Sequence, residues 1–206
     1  MGKTKNYEMN MVLEYARVFK ENADMGNSES SEVWLRNLAK AGGKTTVNAY
    51  FTSEDQLQNL IDEGYEVTYK DNKTGKTHNR VREGEYGIGK YIKIERLIKD
   101  IKEFKDKKTG KFKEVDFGGL PEVIYQLDGM ANNRKWSFTD DGEVGNGSEA
   151  VIAFSVYNGQ KSRLEAVAVT SHVEWVKGDT GLSSTFKISA NNPAEVKATL
   201  DDNIPF

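Results

Sequence analysis

The chain has 206 residues, 37% of them hydrophobic and 30% charged, with a formal net charge of -3 and no cysteine. This size supports a sizeable core, and the missing thiols exclude disulfides, thiolate metal sites and a cysteine nucleophile. No run nears the roughly 18 apolar residues of a membrane span, and Met1-Gly2-Lys3-Thr4-Lys5-Asn6 opens no apolar signal region, so neither insertion nor export is expected.

The charge is unevenly spread. Between Lys70 and Lys113 there are 15 Lys and Arg against 7 Asp and Glu, a local charge of +8. The remainder carries -11. A basic middle in an acidic chain is an electrostatic footprint for a polyanion, and equally the composition of a solvated charged loop.

Residues 11–19 are rich in β-branched and aromatic side chains and read as a strand. Residues 20–31 read as a loop, and a short helix follows over 31–41, stopped by Gly42-Gly43. Residues 44–51 alternate as a strand, with Val47, Ala49 and Phe51 on one face and Thr46, Asn48 and Tyr50 on the other. Ser53 and Gln56 have capping-box spacing for a helix that buries Leu57, Leu60 and Ile61 and ends at Gly64.

Lys-Thr-Gly-Lys occurs twice, at 73–76 and 108–111, and both copies read as basic turns. The second is flanked by β-like runs, so a hairpin is predicted there. Residues 91–104 fit both a strand and one helical face, and the β-like partner run favours a strand. Two cleaner strands follow at 150–157 and 164–175, joined by a turn at Asn158-Gly159. In the second, Leu164, Ala166 and Ala168 share one register and Val167 and Val169 the other.

Five or more strands with one clear helix after the second predict a mainly β fold. The expected form is an OB-fold-like antiparallel Greek-key barrel with one or two short helices and a flexible acidic C-terminal tail. The barrel is expected over 1–177 and the tail over 178–206.

The C-terminal tip is Asp201-Asp202-Asn203-Ile204-Pro205-Phe206. Ile204 and Phe206 form an apolar plug, Pro205 stiffens it, and Asp201, Asp202 and the terminal carboxylate supply charge. Such a plug suits a pocket with a basic rim. The tip resembles the tail end of bacterial single-stranded DNA-binding proteins. That resemblance implies recruitment of replication, recombination and repair enzymes.

The body has a different order, similar to the single-stranded DNA-binding proteins of tailed bacteriophages. A strand leads into a helix over 47–61, a long basic hairpin follows over 91–117, and Gly145-Asn146-Gly147-Ser148 opens a strand ending at Tyr157. The resemblance implies an OB-fold, a DNA groove and a role in phage DNA replication and recombination. It also implies a bacterial host cytoplasm as the location and an acidic tail able to occupy the groove when DNA is absent. A homo-oligomer is compatible with it.

Binding single-stranded DNA needs cations along the phosphates and aromatic faces that stack bases. Tyr86, Lys90, Tyr91 and Lys93 interleave the two types, and Arg134, Lys135 and Trp136 form a second cluster. Tyr50 and Tyr157 each end an outward row. These are the candidate DNA contacts, although most of the aromatics must serve the core.

Enzymatic readings are weaker, and neither an activity nor a cofactor is expected. Residues 84–90 fit the spacing G-x-x-x-x-G-K of a phosphate loop, but Tyr91 stands where Ser or Thr would ligate magnesium. Asp140-Asp141-Gly142-Glu143 fits a divalent cation less well than a hydrated turn. An adaptor that docks through the tip without binding DNA is the rival from another class.

Overall fold

The computed structural model describes residues 3–71, 74–106, 109–126 and 133–175. The predicted tail, including Asp201, Asp202, Ile204, Pro205 and Phe206, lies outside the described residues. Those described belong to the compact unit Met1–Val176.

The first strand, β1 (Thr4–Arg17), is long and starts earlier than the apolar pattern suggests. Helix α1 (Glu32–Ala41) is capped by Ser31, whose Oγ accepts from the Trp34 amide, and ends at Gly42 with φ +73°. Strand β2 (Lys44–Phe51) leads into α2 (Glu54–Asp62). Ser53 caps α2 as predicted, accepting from the Gln56 amide at 3.3 Å. The Gln56 side chain closes its half of the box one residue early, on the Thr52 amide at 2.9 Å.

The basic middle folds as β3 (Thr68–Lys70), β4 (Thr77–Asn79), β5 (Val81–Glu83), β6 (Lys90–Leu97), β7 (Ile101–Lys105) and β8 (Phe112–Asp116). After it come β9 (Glu122–Tyr125), β10 (Arg134–Lys135), the four-residue α3 (Phe138–Asp141), β11 (Ser148–Tyr157) and β12 (Lys161–Ser171).

β3–β4 and β7–β8 are separate two-stranded hairpins. Their turns share one hydrogen-bond pattern. In each, an Asp carbonyl accepts from the turn Gly (Gly75 to Asp71 and Gly110 to Asp106, both 2.8 Å). The same Asp's Oδ1 accepts from Thr74 or Thr109, and each Thr Oγ1 accepts from the following Lys amide.

The remaining strands form one sheet in the order β10-β9-β12-β11-β1-β2-β6-β5, and β12 also pairs with β6. Strands β1, β2, β6, β12 and β11 thereby close a ring. The fold is mainly β and consistent with an OB-like arrangement. The expected barrel was antiparallel throughout, whereas β12 runs parallel to both β6 and β9. Parallel neighbours require long crossovers. Residues 98–160 carry the chain from β6 to β12, and residues 126–160 carry it from β9.

Alternation fills the ring. Leu13, Val47, Ala49, Phe51, Ile92, Ile94, Ile152 and Phe154 all point inward and are fully buried. On β12 the predicted period fails. Ala153 pairs with Ala166 but Phe154 with Leu164, so Glu165 sits in a bulge. The extra residue lets Leu164, Val167 and Val169 all face the core.

The phosphate-loop alternative does not survive the fold. Residues 84–89 join β5 to β6, so a strand, not a helix, follows the glycines. Glycine is required at 84 for another reason. A Cβ there would lie 2.1 Å from the Tyr50 hydroxyl.

Candidate nucleic-acid interface

The outer faces of β2 and β6, with the β1 bulge and residues 24–34 alongside, form a groove of about 460 Å³. Its floor follows from strand alternation. With Val47, Ala49, Ile92 and Ile94 inside, Lys44, Thr46, Asn48, Lys93 and Glu95 face outward.

Two aromatic residues rise at the edge. Tyr15 sits where the β1–β2 register shifts between Glu14 and Arg17, at φ +49°. A left-handed tyrosine is uncommon and points to a constrained position. Its amide is held by Asn146 Oδ1 at 2.8 Å, and the residue is 62% exposed. Trp34 on α1 is 41% exposed, and the Lys44 amine lies 5.2 Å from its ring centroid.

The charges are partly compensated. Lys44 Nζ lies 2.6 Å from Glu95 and 3.8 Å from Asp24, and Arg17 pairs with Asp24 at 3.4 Å. Lys93 makes no salt bridge within 4.0 Å among the described residues. Burial, then the nearby Lys44 charge, lowers its pKa below the usual lysine value. The floor also holds a buried Thr46 hydroxyl with no hydrogen-bond partner among the described residues. Asn48 donates to Glu14 Oε2 at 3.0 Å. The groove thus offers open aromatic faces, polar floor groups and a cation with no ion pair within 4.0 Å among the described residues.

Several predicted contacts gather at the neighbouring end of β6. Tyr91 lies 4.7 Å and Tyr86 5.4 Å from Tyr50, ring centre to ring centre. Tyr50 itself is 1% exposed and donates to Glu14 at 2.8 Å. Burial, then that hydrogen bond, raises its pKa. Its ring faces are covered, so it supports Tyr86 and Tyr91 from below. Lys90 pairs with Glu54 at 3.0 Å, while Arg82 stands opposite Tyr91.

The second predicted cluster lies elsewhere. Arg134 and Lys135 pair with β9, which β12 separates from β6 in the sheet. Arg134 is held by the Asp141 carboxylate. That contact, then the Ser137 amide, lowers the Asp141 pKa to about 2. Trp136 is 4% exposed, packs against Tyr125 and His172, and donates to the Gly142 carbonyl. Tyr157 is 48% exposed beside the β11–β12 turn, opposite Lys161, and does not line the groove.

Tyr15, Arg17, Trp34, Lys44, Thr46 and Asn48 were not among the predicted contacts. Alternation placed Thr46 and Asn48 outward, but nothing local tied them to Tyr15 or Trp34.

No family model matches the chain, and no curated protein matches it. The structure is similar to the crystal structure of gp2.5, a single-stranded DNA-binding protein encoded by bacteriophage T7. The TM-score is 0.41 at 15% identity, covering 94% of this chain and 100% of that one. A likeness of that size assigns neither family nor function.

Proposed function

We propose that the protein binds single-stranded DNA without sequence preference and without catalysis, in the replication, recombination and repair of phage DNA. The observation that carries this reading is the groove, where exposed Tyr15 and Trp34 rings stand beside Lys93, which has no ion pair within 4.0 Å among the described residues. Aromatic faces take any base, and a cation tracks the backbone phosphates. The resemblance of the tip selects DNA and adds the second half of the proposal. Residues 201–206 would recruit partner enzymes in the host cytoplasm.

Titration of a labelled oligonucleotide at several salt concentrations tests the binding. Affinity is expected to fall with a log–log slope of about -0.7 per neutralised phosphate. Deleting residues 201–206 should preserve or strengthen binding, because it removes acidic groups that compete with phosphates. Salt-insensitive binding, or equal affinity for duplex DNA, would overturn the reading.

Lys93 makes the binding proton-linked. Its pKa is lowered in the free protein, and a phosphate alongside would restore the charged form. The complex therefore holds its proton to higher pH than the free protein does. Binding is at full strength below the free-state pKa and weakens as pH rises through it. Affinity measured from neutral to alkaline pH should decline more for the wild type than for Lys93→Met. Identical pH profiles would show that Lys93 meets no phosphate.

A further inference from the structure

We propose that the β7–β8 hairpin is a second contact surface for the nucleic-acid strand, extending the groove beyond Lys44. The inference rests on the nucleic-acid reading above.

Its two faces differ in chemistry. The register sets Lys102 opposite Val115 and Phe104 opposite Lys113, so these share one face. Phe117 belongs to that face too. Its ring lies 5.7 Å from Phe104, and the Lys102 amine lies 5.4 Å from its centroid. The other face pairs Glu103 with Glu114 and Ile101 with Asp116, with Lys105 opposite Phe112 nearer the turn. Two carboxylates directly opposed repel each other, a local cost with no packing return. The hairpin therefore presents Lys102, which pairs with Asp100 at 3.0 Å, and Lys113 with two aromatics on one side, and three carboxylates with Lys105, Phe112 and Ile101 on the other, so the first side suits a phosphate chain better.

Phe104 and Phe117 are exposed and belong to no part of the buried core cluster. Burial in the core does not account for them. Interleaved aromatics and lysines are what a single strand stacks upon.

The hairpin is also rooted at the groove. The Ile98 amide donates to the Gly43 carbonyl at 3.1 Å, and Gly43 directly precedes Lys44. On the returning side, Gly119 donates to Leu97 at 3.1 Å and Arg96 to Gly118 at 2.9 Å. A strand leaving the groove past Lys44 meets this arm next.

The test uses the full chain and two oligonucleotides, one just long enough to saturate the groove and one several nucleotides longer. Two variants are compared, Phe104→Ala with Phe117→Ala, and Lys102→Gln with Lys113→Gln. The second keeps the phenyl contact, so it guards against loss of the hairpin itself. Both should match the wild type on the short oligonucleotide. On the long one each should lose affinity about tenfold. The lysine variant should also lose about 0.7 of salt slope per lysine on the long strand alone. Wild-type behaviour of both variants at both lengths would overturn the inference. So would unchanged DNA affinity together with lost self-association in sedimentation, which would assign the face to a second copy of the chain. A wild type that binds neither oligonucleotide would instead refute the groove.

Discussion

Replacing Tyr15 and Trp34 together by alanine is expected to weaken single-stranded DNA binding by about 2–6 kcal/mol, since each stacked base is worth roughly 1–3 kcal/mol. Both rings are open to solvent at the groove edge, at 62% and 41% exposure. Neither belongs to the core cluster, so melting behaviour should change little. Alanine retains the strain of the +49° backbone at position 15, while Tyr15→Gly would relieve it. A gain in stability for the glycine variant, with the same loss of affinity, would separate the backbone from the ring. The salt slope should stay constant, because no phosphate contact is removed. Unchanged affinity in a folded double variant would shift the stacking role to Tyr86 and Tyr91.

The second large effect concerns the barrel that holds the groove. Phe154 is 1% exposed and stacks on Tyr7 at 5.2 Å between ring centres. Phe154→Ala is expected to cost about 3–5 kcal/mol through lost transfer energy and an unfilled cavity. Domain stabilities are about 5–15 kcal/mol, so this is a substantial fraction of the total. The change lies on β11, away from β2 and β6. DNA affinity of the folded fraction should therefore remain near wild type while the denaturation midpoint drops. A cost under about 1 kcal/mol would mean that the interior is not packed around this ring.

Features set by neighbouring residues were readable from the sequence. Ser53 does cap its helix, Gly42 does end the first, and the hairpin around residues 106–111 forms. Each depends on contacts within a few positions. Tyr50 shows where that stops. Alternation correctly turned it outward, but the glycine turn at 84–89 and the Tyr86 and Tyr91 rings then cover it. Trp136 was hidden in the same way by partners at 125 and 172. Trp34 is the opposite case. It shares the stripe of Leu38 and Ala41, both buried, so helical period would assign it to the core. Instead the first turn of α1 reaches past the core to the groove, where Trp34 meets Lys44. The groove was illegible for a simpler reason. Residues 15, 34, 44 and 93 are neighbours only through the β1–β2–β6 register and the fold-back of α1.

The repeated turn makes the arm a ruler. The three hydrogen bonds described at Asp106, Thr109, Gly110 and Lys111 are made among those residues and recur at Asp71, Thr74, Gly75 and Lys76. A connector that closes on itself does not depend on the length of the strands below it. Opposed pairs can therefore be removed from β7 and β8 two at a time, keeping each remaining side chain on its own face. A graded series of shortened arms would convert the number of deleted rungs into a number of uncovered nucleotides.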